Sequence, residues 1–196
     1  MSIKNLEKYL PENTLAHLKN WFGEYSIHIK ITRERNSKLG DYRKMPDKTH
    51  QITVNSTLQP PLFFFVLTHE LAHLIAFDKY GNRISAHGAE WKNTFRIMLL
   101  ESIAIYPEDL RMIILRFAKS PKASFMASPE LVRYFHIENL ADESSYIEDL
   151  QNGNHFTYQK QRYELIEKRK KNYLCNNLDN GKNYIFKPLA RVEKLS

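Results

Sequence analysis

The sequence predicts an α+β protein: a helical unit containing a small antiparallel sheet, followed by a small, basic, β-rich subdomain. Three observations lead there. Ser26-Ile27-His28-Ile29-Lys30-Ile31-Thr32 alternates apolar and polar residues, the signature of a half-buried strand. Pro60-Pro61 opens a long, almost wholly apolar stretch running to Phe77, which reads as one helix buried on nearly all sides. From Gly153 onward, Phe156, Tyr158, Tyr163, Leu165, Tyr173, Leu174, Tyr184, Ile185 and Phe186 alternate with polar and basic residues.

Taken in order, residues from about Ile3 to Phe22 read as helix, broken or restarted at Pro11 and ended by Gly23. The Ser26–Thr32 strand follows. Leu39-Gly40-Asp41-Tyr42-Arg43 suggests a second strand after a turn, and His50-Gln51-Ile52-Thr53-Val54-Asn55 a third. The Pro60 helix ends near Gly81, a favourable C-cap. A second helix opens near His87-Gly88 and continues through Trp91, Phe95, Met98 and Leu99. Pro107-Glu108-Asp109-Leu110 and Ser128-Pro129-Glu130-Leu131 each look like helix starts, the latter with Ser128 as N-cap and Pro129 at the first helical position. In the tail, Asp179-Asn180-Gly181-Lys182 is a hairpin signal within a sheet of three or four strands, and Lys168-Arg169-Lys170-Lys171 falls at or near a turn.

A chain of 196 residues with 42% hydrophobic content can bury one good core and a small appendage. The expected division is residues 1–137 as the main domain, 138–152 as an acidic connector and 153–196 as the basic tail. Residues 127–152 hold 1 basic against 6 acidic side chains, whereas residues 153–196 hold 10 basic against 4 acidic. Such a basic tail suits a phosphate backbone, although a charged face also serves solubility alone. The single cysteine, Cys175, forms no internal disulfide. No uninterrupted apolar run of about 18 residues and no apolar stretch after Lys4 are present. Together these lead us to expect a cytoplasmic protein without a membrane partner.

The chemistry concentrates in His69-Glu70-Leu71-Ala72-His73. On a helix, residues i and i+4 share a face, so His69 and His73 can grip one cation. Glu70 projects about 100° around the axis, near enough to reach a water at that point without being a ligand. This is the arrangement that zinc-dependent peptide hydrolysis requires. Two histidines can also sit in a core, satisfied by backbone or carboxylates, but two imidazoles and a carboxylate buried together are costly unless paired or metal-bound. A catalytic site normally takes a third protein ligand. The metzincin extension needs Gly at position 76 and His at 79, where this chain has Ala76 and Lys79. Spacing leaves both His87 and Glu90 open as the third ligand.

The segment Thr68-His69-Glu70-Leu71-Ala72-His73, continuing to Ser85-Ala86-His87-Gly88-Ala89-Glu90-Trp91 and Phe95, resembles the active-site segment of the SprT-like metallopeptidases. In that family HExxH is followed at this distance by an HG-x-x-aromatic element. The matching positions are His69, Glu70, His73, His87, Gly88 and Trp91. The resemblance runs from about Leu15 to Leu115 and is strongest between Thr68 and Phe95. It implies a zincin-like core, one catalytic Zn2+ on His69, His73 and His87, and Glu70 as the catalytic acid/base. It further implies a protein substrate, including proteins associated with or crosslinked to DNA. In such folds an edge strand can bind a peptide, a role for which His50–Asn55 is nominated, with His50 as a surface residue. Many relatives carry a four-cysteine zinc ribbon in the tail; here Cys175 stands alone and position 178 is Leu. The tail is therefore expected to be a degenerate ribbon without metal, with Lys168, Arg169, Lys170 and Lys171 as the candidate DNA contacts. The competing expectation is a weakly active or non-catalytic DNA-binding or regulatory protein that keeps a zinc site.

Overall fold

The computed structural model describes residues 3–35, 38–124, 127–136 and 144–195. The described chain is α+β, with five α-helices and two sheets. It divides into two units, Met1–Phe135 and His136–Ser196.

In the first unit a 3₁₀ segment, Ile3–Tyr9, precedes α1 (Leu15–Phe22), which buries Leu18, Trp21 and Phe22. The break at Pro11 and the stop at Gly23 fall where expected. Strands β1 (Ile27–Thr32), β2 (Gly40–Lys44) and β3 (His50–Asn55) match the three alternating segments. Their arrangement differs from expectation. The order is β1-β3-β2, with β3 antiparallel to β2 but parallel to β1, so the sheet is mixed rather than antiparallel. A short turn closed by Met45 N–H on the Thr49 carbonyl joins β2 to β3. The β1–β2 link instead meets the end of β3, where the Asn55 side-chain amide donates to the Arg35 and Lys38 carbonyls. Alternation reports which face a residue uses, not strand direction or order. A second correction follows: β3 is the central strand, with Ile52, Thr53, Val54 and Asn55 all buried, and cannot be the edge that takes a peptide.

Helix α2 (Pro60–Tyr80) starts with proline in its first turn. It ends where Gly81, at φ 81°, donates its N–H to the Phe77 carbonyl, a conformation that costs glycine little. By length and composition α2 is apolar enough to cross a membrane, but most of it lies inside the unit. Leu62 to Thr68 are buried without interruption, packing against α1, the sheet and α3 (Ala89–Glu101). Helices α4 (Glu108–Ala118) and α5 (Pro129–His136) complete the core with Leu110, Ile114, Phe117, Leu131 and Phe135.

The second unit is a six-stranded antiparallel sheet in the order β4-β9-β5-β6-β7-β8. Its strands are β4 (Ser144–Tyr146), β5 (His155–Tyr158), β6 (Gln161–Arg169), β7 (Asn172–Asn177), β8 (Asn183–Phe186) and β9 (Arg191–Lys194). The expected three or four strands become six. The acidic stretch is not wholly a connector: residues 137–143 lie outside the described residues, but Ser144–Tyr146 forms β4 and Ile147 is fully buried. Its acidic side chains obscured Ile147 and Leu150, which join the second core. That core is largely aromatic, with Phe156, Tyr163 and Phe186 in mutual ring contact and Cys175 buried among them.

Candidate metal centre

Helix α2 carries His69, Glu70 and His73; the turn before α3 brings His87 back over them. One ligand nitrogen from each of His69, His73 and His87 lies within 4.8 Å of the others, close enough to hold a metal ion. The Nε2 atoms of His69 and His87 stand 3.4 Å apart. Glu90, the alternative third ligand, is not part of this group. Nor is His50, which is half-buried and whose Nδ1 lies 3.1 Å from the Tyr42 hydroxyl.

Trp91, fully buried, fills the angle between the three rings. Its ring lies edge-on to His69 and His87 at 4.6 and 4.7 Å and roughly parallel to His73 at 5.2 Å. Its indole N–H reaches the His69 carbonyl at 3.4 Å. Tyr42 lies parallel to His73 at 6.3 Å, within 3° of coplanar orientation, and Phe95 meets His69 edge-on. Aromatic rings thus pack against each of the three imidazoles.

Electrostatics favour the neutral, ligating form of these rings. Burial, reinforced by the neighbouring His73 and His87, pushes the His69 pKa down to about 3. Burial and His87 bring His73 to about 4. His87, nearer the surface, is lowered by burial and by Lys92. Burial has the opposite effect on Glu70: it raises the carboxyl to about 8, Asp41 adds to the rise, and Lys38, Arg35 and a hydrogen bond from the Tyr42 main chain oppose it.

A pH signature follows for the metal-free chain. Between its ordinary 4.5 and about 8, Glu70 keeps a proton when folded that the unfolded chain has lost. Stability therefore falls as pH rises through that window, by roughly 1.4 kcal/mol per pH unit from this group. Metal-free Glu70→Gln lacks that contribution. Unfolding free energies of both chains in chelator should show the wild type losing ground to the variant from about pH 5 to about pH 8. Parallel curves would contradict the buried, protonated carboxyl.

Two neighbours of Glu70 carry no motif in the sequence: Gly40 and Tyr42, both on β2. A Cβ placed on Gly40 would stand 2.7 Å from Glu70 Oε1. The signal that points to it is a glycine inside a strand pattern, which often marks close backbone approach. Main-chain bonds to β3 from Leu39 and Met45, through Asn55 and Thr49, show that odd-numbered β2 residues face β3. Gly40, Tyr42 and Lys44 therefore turn their main-chain groups toward the outer edge. The open edge beside the histidines is β2.

Comparison of this chain with protein-family models, with curated proteins and with solved structures gives no match.

Proposed function

We propose that the chain is a zinc-dependent metalloendopeptidase with a zincin-like core, acting on proteins, including proteins associated with or crosslinked to DNA. The observation that carries the reading is the 3.4 Å separation of two imidazole nitrogens next to a third. Nitrogens bound at about 2.0–2.1 Å to a tetrahedral zinc stand about 3.3 Å apart. Neutral imidazoles suit zinc, and three protein ligands are the number a catalytic site uses. His69, His73 and His87 would hold the ion. When bound, zinc supplies a Lewis acid that polarises a carbonyl and lowers the pKa of water.

Glu70 performs the proton transfers. Its carboxylate takes a proton from the attacking water and delivers it to the leaving amine nitrogen. A cation nearby pulls its raised pKa back toward neutrality, where both transfers are efficient. The substrate peptide would lie extended along β2, using main-chain groups of Gly40 and Lys44 at the open edge. Mixing the metal-loaded chain with an unfolded protein substrate tests the reading: it is expected to yield cleavage that a chelator stops and zinc restores. Metal-loaded protein that cleaves nothing would contradict it.

The second unit supports a second, compatible role in holding DNA. Lys168 and Arg169 close β6, Lys170 and Lys171 form the turn, and all four are exposed. Arg169 pairs with Glu167, and the Lys168 ammonium lies 5.5 Å from the centre of the Tyr173 ring. Replacing all four by Ala is expected to weaken binding to duplex DNA and to flatten log K against log salt by roughly 0.9 for each phosphate no longer neutralised. Affinity indifferent to salt would rule out a phosphate-binding role.

A further inference from the structure

We infer that Gly40 is a positioning residue for Glu70, an inference that rests on the peptidase reading for its catalytic consequence but not for the contact itself. Glycine weakens a strand interior, so a local reason is required. Conformation is not that reason, because Gly40 is absent from the positive-φ glycines and pairs in register with Val54. Space is. A Cβ at position 40 would stand 2.7 Å from Glu70 Oε1, 2.9 Å from Glu70 Cγ and 2.7 Å from Val66 Cγ1.

Val66 and Glu70 are four residues apart and share a face of α2. The bare main chain of β2 closes directly on that face. Two residues further, Tyr42 lends a main-chain hydrogen bond to the same carboxylate and stacks its ring beside His73. One strand therefore walls in the acid and braces a histidine next to it. A carboxylate that must meet a water and then an amine nitrogen needs its rotamer fixed. A methyl group at position 40 removes the space its present rotamer occupies.

The competing role for Gly40 is plain packing against Val66, and the test separates the two. Gly40→Ala, Gly40→Ala/Val66→Ala, Glu70→Ala and Gly40→Ala/Glu70→Ala would be compared for zinc content, Tm, KM and kcat. Gly40→Ala is expected to keep its zinc while kcat falls about 100-fold. Adding Val66→Ala should recover only part of the Tm loss and none of the kcat. In the Glu70→Ala background, Gly40→Ala should lower Tm less than in the wild type. The inference is overturned if kcat stays within roughly threefold of wild type, if Val66→Ala restores kcat together with Tm, or if the Tm loss is equal in both backgrounds. Should the wild type cleave nothing, the peptidase reading fails alone. The Tm cycle between positions 40 and 70 then still decides whether the two residues touch.

Discussion

Glu70→Gln is expected to bind metal like the wild type and to cleave protein at least about 10³-fold more slowly, the upper range for loss of a positioned acid/base. Glu70 follows His69 on α2 but is not in the group of converging nitrogens, so its loss leaves the ligand set intact. It is 7% exposed, and the Tyr42 main chain contributes a hydrogen bond to its carboxylate. Gln has the same shape and cannot carry the proton. KM should change little, because the lost interaction belongs to the transition state. A clean preparation of Glu70→Gln with wild-type turnover would remove the acid/base role. One that loses metal together with activity would instead make Glu70 part of the ligand set.

His87→Ala should produce the second large effect. His69 and His73 come from one helix, and among the described residues the turn before α3 supplies the third nitrogen. Losing a partner outside the ligand set typically costs about 10–100-fold in metal affinity. Losing a ligand is expected to exceed that, taking activity with it. Glu90→Gln is the matched control. It removes the alternative carboxylate from the first turn of α3 and should leave metal affinity unchanged. The reverse pattern, with Glu90→Gln losing metal and His87→Ala keeping it, would reassign the third ligand.

Much of this site was legible because its signals are local. His69, Glu70 and His73 lie within one helical turn, and Pro60 and Gly81 bracket the helix that carries them. His87 needed more: spacing alone favoured it only slightly and left Glu90 open, and the resemblance carried by His87-Gly88 and Trp91 separated the two. The strands of the first sheet were visible as alternating runs, but their order was not. Pairing β3 between β1 and β2 is a long-range event, and alternation is identical for a central and an edge strand when both faces are covered. For the same reason β2, rather than β3, proved to be the edge beside the histidines. In the second unit, the charges around Ser144–Asp149 masked Ile147 and Leu150, hiding a strand and two core residues. Gly40 and Tyr42 belong to neither motif. They matter through packing against α2, which a strand pattern alone does not announce.

X-ray absorption on the zinc-loaded wild type and His87→Ala tests the convergence of three imidazoles most directly. The wild type should show one zinc per chain, with a shell of nitrogen and oxygen at about 2.0–2.1 Å and the scattering signature of three imidazoles. In His87→Ala that signature should fall to two or the zinc should be lost. A wild type that binds no zinc, or a shell unchanged by removing His87, would contradict it.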